Sequence, residues 1–148
     1  MVVIGIDLGG SAVRLSTVTR AGRLRYSKSV DISARREQRC VLDAIISNII
    51  ELITIEKKRG NKVVSIGIGS PGTIDLRKGV VVTSANFKGW KDVPLMKLLE
   101  KGVNLPVVLD NDANTAAFGE KWKGAGRKVN SLICLTMGTG IGGGIVLD

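Results

Sequence analysis

The sequence predicts an α/β fold built on a mixed sheet flanked by helices, and three observations carry that expectation. Val2 to Leu8, Ala12 to Thr19 and Arg23 to Asp31 are β-rich runs separated only by glycine-containing turns, so the chain should open with three antiparallel strands. Val41, Leu42, Ile45, Ile46, Ile49, Leu52 and Ile53 recur at helical spacing and predict one long amphipathic helix. Pro106 to Leu109 is a short apolar run that passes directly into Asp110, Asn111, Asp112 and Asn114, and then into a helix beginning with small side chains. Side chains leaving the carboxyl end of such a strand meet the backbone N–H groups of the next helix, which is where open α/β sheets bind ligands.

The 148 residues suit one domain, and 44% hydrophobic content supplies a core. A net charge of +9 raises nucleic acid as a partner, but the basic residues alternate with apolar ones and aromatics make up only 3%. A solvated basic face that attracts anionic small molecules is the better expectation. Cys40 falls in a helical pattern and Cys134 in an apolar strand, so both are expected in the core. With no CxxC and no histidine, a Cys/His zinc site is not available in these residues. No run reaches membrane-spanning length and residues 1–8 read as a strand with no signal-peptide pattern, so a cytoplasmic protein is expected.

In chain order, the first turn is Asp7-Leu-Gly-Gly-Ser11, which sets a carboxylate beside exposed backbone N–H groups and can hold phosphates and a hydrated metal ion. An ordinary Gly-Gly hairpin fits the same residues. Ser33 is the expected cap of the long helix, which should run from about Arg35 to Lys58 and stop at Gly60. Val63 to Gly69 is the next strand, followed by Ser70-Pro-Gly-Thr-Ile-Asp75. Gly67, Gly69 and Gly72 match G-x-G-x-x-G, yet Pro71 and the β-branched residues beyond it do not open a helix, so the dinucleotide reading fails. Lys78 to Thr83 suggests a short hairpin arm. Ser84 to Trp90 reads as an irregular loop whose polar and aromatic groups suit either a sugar or an ordinary lid.

Val93 to Lys101 is the expected second helix, leading to the strand at Pro106. The polar cluster after that strand is either an elaborate helix cap or a set of groups facing a ligand; one residue suffices for a cap, and four are present. Leu132 to Thr136, the turn Met137-Gly-Thr-Gly-Ile-Gly-Gly-Gly144 and Ile145 to Asp148 repeat the strand, glycine turn, strand unit seen at Asp7. Gly138, Gly140 and Gly143 again match G-x-G-x-x-G without a helix, and no lysine makes it a P-loop. Two such hairpins facing each other would grip phosphates from both sides.

The succession Asp7-Leu-Gly-Gly-Ser-Ala-Val-Arg14, Gly69-Ser-Pro-Gly-Thr-Ile-Asp75, Gly79-Val-Val with Asn86-Phe-Lys-Gly-Trp90, Asn111-Asp-Ala-Asn114 with Gly119-Glu120, and Met137 to Gly144 resembles the ROK family (repressor, open reading frame, kinase). The resemblance implies the actin-like ATPase (ribonuclease H-like) fold. It implies that residues 1–111 form a small N-terminal α/β domain and that residues 112–148 begin a second, larger one. By the same resemblance the full-length protein is an ATP-dependent sugar kinase, glucokinase- or hexokinase-like, with ATP and Mg²⁺ as cofactors.

Carried over residue by residue, Asp112 matches the catalytic base and Asn111 a sugar ligand, while Gly72 and Asn86 sit in segments lining the sugar pocket. Asp7, Gly9, Gly10 and Ser11 match the first phosphate motif, with Asp7 near Mg²⁺ through water, and Gly138, Thr139 and Gly140 match the second. Ser11 stands where threonine is usual and keeps the hydroxyl. Family members run to roughly twice this length; a sugar-binding Glu and His, the zinc site and the adenine pocket belong to the missing half, so this chain alone is expected to be weak or inactive.

The alternative is a sugar-sensing regulator of the same family without its DNA-binding domain. Such regulators carry a helix-turn-helix before the first strand, whereas this chain starts at Val2. A third reading is a non-catalytic partner completed by a second polypeptide. Sugar and nucleotide are the expected partners, nucleic acid and membrane are not, and a homo-oligomer stays open. The sugar is undefined, as is the donor among ATP, ADP and polyphosphate.

Overall fold

The computed structural model describes residues 1–34, 37–138 and 140–148. Five strands form the main sheet: β1 (Val2–Leu8), β2 (Ala12–Thr19), β3 (Leu24–Asp31), β4 (Val63–Ser70) and β8 (Val107–Asn111), in the spatial order β3-β2-β1-β4-β8. The first three are antiparallel neighbours, as the glycine turns predict, and β4 and β8 then add parallel to β1. Parallel pairing needs crossovers, which are supplied by α1 (Gln38–Lys58) and, before β8, by α2 (Leu95–Val103). A small antiparallel sheet of β5 (Thr73–Asp75), β6 (Val80–Thr83) and β7 (Lys91–Val93) lies between β4 and α2 in the chain.

Alternation along β1 decides which face is covered. Val2, Ile4, Ile6 and Leu8 are buried, whereas Val3, Gly5 and Asp7 lie on the other side. Val13 and Leu15 of β2, Ile66 and Ile68 of β4, and Val107 and Leu109 of β8 join the buried side. There they meet Val41, Ile45, Ile49 and Leu52 of α1 and Leu95 and Leu99 of α2. Every apolar position predicted for α1 packs on this core, Ile46 and Ile53 at its margin. The helix ends as expected: Gly60 has φ +74°, its N–H donates to Lys57 O (3.0 Å), and the Asn61 N–H donates to Glu56 O (2.9 Å).

The expected cap of α1 is corrected. Glu37 precedes the helix without a side-chain cap, and Ser33 instead sits in a turn where its N–H donates to Asp31 Oδ1 (2.8 Å). The expected start near Arg35 lies outside the described residues. Val93 belongs to β7 and not to α2, because Pro94 separates strand from helix and α2 begins at Leu95. The core placement of both cysteines also fails: Cys40 is exposed on the first turn of α1 and Cys134 is half-buried. No helix among the described residues is long and apolar enough to cross a membrane.

Beyond β8 the chain enters α3 (Asp112–Lys123), a short 3-10 turn at Ala125–Lys128, and the hairpin of β9 (Leu132–Met137) and β10 (Ile141–Val146), which forms its own two-stranded sheet. Glycines bring β10 against α3: a Cβ on Gly144 would meet Ala113 O at 2.5 Å and Ala117 Cβ at 2.6 Å. The glycine run after Met137 therefore serves helix packing as well as the turn.

One buried charge ties α1 to the sheet. Glu56 is wholly buried; its Oε1 accepts from Thr17 Oγ1 (2.8 Å) and its Oε2 from Asn61 Nδ2 (2.8 Å), with Arg25 and Arg59 within 3.6 and 3.7 Å. Replacing Thr17 by valine keeps the shape but leaves Glu56 one donor short. The expected loss is about 1–3 kcal/mol of unfolding free energy, read as a lower urea midpoint with an unchanged m-value.

Candidate functional site

The parallel strands β1, β4 and β8 end at one edge of the sheet, and their last residues form a row. Arg14 faces Asp7 across β2 and β1, Asp7 faces Gly69 of β4, and Gly69 faces Asp110 of β8. Gly69 is the gap in that row. A Cβ there would lie 2.5 Å from Thr115 Oγ1 and 3.3 Å from Asp112 Cα, so the first turn of α3 settles into the space a side chain would occupy.

The polar cluster divides its work. Asn111 caps α3, its Oδ1 accepting from the N–H groups of Ala113 (2.9 Å) and Asn114 (3.3 Å), while its Nδ2 donates to Gly72 O (3.2 Å). Asp110 is occupied with local structure, its Oδ1 accepting from the Asn111 N–H (2.6 Å) and Asn114 Nδ2 (3.1 Å). Asp112 is half-buried at the first position of α3, where the helix dipole favours a negative charge. Its Oδ1 accepts from the Ala113 N–H (2.9 Å), and its Oδ2 has no hydrogen bond among the described residues. The cap reading thus holds for Asn111, Asp110 braces the residues around it, and Asp112 keeps a carboxylate oxygen free. Asn111 retains one amide N–H beyond the bond to Gly72.

These residues line one cavity of about 860 Å³. Its lining includes Asp7, Gly9, Gly10, Ser11 and Arg14 of the first hairpin, Gly72, Asn86, Asn111 and Asp112, and Gly138, Gly140 and the start of β10. Every described residue predicted for the site is present, and the structure adds Arg14, Pro71, Thr115 and Thr136 to its lining. Thr139 lies outside the described residues. The β1–β2 register could have announced Arg14, since a hairpin that turns at Gly9 and Gly10 puts residue 14 opposite residue 7.

The turns suit anions. Gly9 N–H is spent on Ala12 O (2.9 Å) and Gly138 N–H on Gly140 O (2.9 Å), but the Gly10 and Ser11 N–H groups have no partner among the described residues. A Cβ on Gly10 would meet Asn86 Nδ2 at 2.7 Å, so the loop carrying Asn86 rests directly on the first hairpin. That loop is anchored by Phe87 and Trp90, stacked at 4.6 Å and buried. The aromatic half of the sugar-loop expectation is corrected accordingly: the rings belong to the core and offer no face to the cavity.

For a metal ion the donor set is sparse. Among the described residues no three His, Cys, Asp or Glu side chains cluster. Asp7 and Asp112 are the carboxylates on the cavity wall, which fits a Mg²⁺ held mostly by water and phosphate oxygens and touched by one or two carboxylates.

The chain matches the family model described as "ROK family" over residues 3–148. It is 40% identical to the glucokinase of Thermotoga maritima over 97% of this chain and 44% of that protein. It is 34% identical to the xylose repressor of Caldicellulosiruptor bescii over 99% of this chain and 36% of that protein. Among solved structures, a ROK family glucokinase from Streptomyces griseus in complex with glucose and AMPPNP superposes with a TM-score of 0.87 at 35% identity, covering 99% of this chain and 45% of that one. The chain thus spans less than half the length of these relatives.

The contribution of the α3 cap to stability is measurable by mutation. Asn111→Ala should lower stability by about 1 kcal/mol, and Asn111→Ser, which restores a cap acceptor but not the bond to Gly72, should recover most of it in the same thermal or urea unfolding experiment.

Proposed function

The chain belongs to the ROK family, and on that premise we propose that it carries the catalytic carboxylate and both phosphate-gripping turns of an ATP-dependent sugar kinase of the glucokinase type. The strongest support is the single cavity in which Asp112 and the turns at Gly10 and Gly138 meet. Phosphoryl transfer asks little covalent chemistry of the protein; it asks for alignment, charge neutralisation and one group that receives the proton of the attacking hydroxyl.

In this reading Asp112 Oδ2 accepts the hydroxyl proton as the sugar oxygen bonds to the γ-phosphorus and the bond to the β-phosphate oxygen breaks, releasing ADP. Gly72, Asn86 and Asn111 hold the sugar so that this hydroxyl faces Asp112. Gly9, Gly10, Ser11 and Gly138 to Gly140 surround the phosphates, with the unpaired Gly10 and Ser11 N–H groups available to their oxygens. Mg²⁺, when bound, would neutralise phosphate charge, and Asp7 is the carboxylate placed to orient its water shell. Residues 112–148 begin the second domain of the kinase, so that the two turns belong to opposite walls of a cleft.

A regulator that binds a sugar without turning it over is the second reading, favoured by the likeness to the xylose repressor. The free Asp112 oxygen is available either to accept a hydroxyl proton or to hydrogen-bond a sugar, so turnover is what separates the two readings.

In a coupled assay with ATP and glucose, on a polypeptide carrying this chain at the full length of its glucokinase relatives, Asp112→Asn should lower turnover by about 10²–10⁴-fold with the fold intact by circular dichroism. Equal rates would remove Asp112 from its role. Retention of a specific DNA sequence at physiological salt would favour the regulator instead.

A further inference from the structure

Resting on the kinase reading, we propose that Arg14 is a phosphate-contact residue of the donor site, held in readiness by Asp7. The observation is one of charge. Asp7, Asp112 and Arg14 are the charged side chains on the cavity wall, so among the described residues Arg14 is the cation that faces two carboxylates. A polyphosphate entering that cavity meets net negative charge unless a cation turns toward it.

The placement of Arg14 follows from strand alternation. Val13 and Leu15 are buried on the α1 side, which sends Arg14 to the opposite face, where it meets its register partner Asp7 at the end of β1. Nη1 donates to Asp7 Oδ2 at 3.0 Å. The two side chains are 65% and 53% exposed, so this is a screened pair that exchanges partners readily and no rigid clamp. The bond engages a single nitrogen of a guanidinium that carries five N–H donors in a planar fork, a shape matched to phosphate oxygens. Two residues beyond Asp7 the strand turns at Gly9 and Gly10, which line the same cavity and where the Gly10 N–H is unpaired among the described residues. Asp7 therefore keeps Arg14 beside the phosphate turn while the donor is absent, and the incoming phosphate oxygens draw part of the fork away.

The ¹⁵N-labelled chain provides the test, titrated separately with Mg·AMPPNP, with inorganic pyrophosphate in metal-free buffer, and with glucose. In the wild type the Gly10 and Gly138 amide signals should shift with both phosphate ligands. Arg14→Met should weaken both phosphate ligands at least tenfold and leave the glucose titration unchanged, a pattern that a merely structural role would not give. Arg14→Gln, of similar reach and uncharged, serves equally where Arg14→Met loses its dispersed spectrum. The double variant Asp7→Asn with Arg14→Met should not regain wild-type pyrophosphate affinity.

Full recovery in the double variant would mean that Arg14 only screens Asp7, and the proposal would fall. Unchanged phosphate affinity in the single variants would overturn it while leaving the kinase reading intact. A wild-type chain whose spectrum does not respond to Mg·AMPPNP would overturn the nucleotide reading and the role of Arg14 together.

Discussion

The arrangement of this molecule depends on one absent side chain, that of Gly69. Three parallel strands end at the same edge, and the residue at the centre of that edge must let a helix start directly over it. A Cβ there would lie 2.5 Å from Thr115 Oγ1 and 3.3 Å from Asp112 Cα, so Thr115 or the first turn of α3 would have to give way. Asp112 is the first residue of that turn, so its distance from the Asp7 edge is governed by how closely helix and strand approach. The carboxylate thus sits where a backbone contact puts it, on an element whose next turn is fixed by the buried Ala113 and Ala117. Precision at such a site comes from rigid elements and not from loops.

Glycine does different work at the two turns. In the first, Gly10 makes room for the Asn86 side chain, joining the irregular loop to the hairpin. In the second, Gly138 and Gly140 face open space, while Gly142 and Gly144 let β10 lie against α3. Two glycine-rich segments that look alike in sequence therefore divide between docking the backbone and exposing it. Gly72 is a third case: its φ is +113°, and a Cβ there would run into the backbone carbonyl of Thr83, so the position requires glycine whatever binds nearby.

Most of the architecture was legible from periodicity. Apolar alternation in β1 and β2 and helical spacing from Val41 to Ile53 report burial directly, because a covered face must be apolar. What was not legible depends on contacts remote in sequence. Ser33 looks like a cap by composition, but the turn bond to Asp31 takes it elsewhere. Cys40 fits a helical pattern, yet the first turn of α1 projects beyond the core. Within the site, Asp110 and Asp112 were two carboxylates among four polar residues, and the family resemblance alone pointed to Asp112. That Asn111 would spend its oxygen on the helix cap while its nitrogen reached Gly72, thirty-nine positions away, required the fold. The loop of Phe87 and Trp90 suited a sugar or an ordinary lid equally because aromatic rings serve both surfaces and cores, and sequence alone does not separate the two.

The two turns are also unequally supported. The turn at Gly9 and Gly10 joins central strands of a five-stranded sheet with α1 behind it. The turn after Met137 caps a two-stranded ribbon, an element of marginal stability by itself. One face of that ribbon leans on α3 through Gly142 and Gly144; the other exposes Ile133, Leu135, Met137, Ile141 and Ile145. The first turn is consequently set by the main core, whereas the position of the second is set by α3. Because Asp112 begins that same helix, any tilt of α3 on Gly69 would move the carboxylate and the second turn together relative to Asp7. A single helix thus holds both the Asp112 carboxylate and the ribbon that carries the turn after Met137.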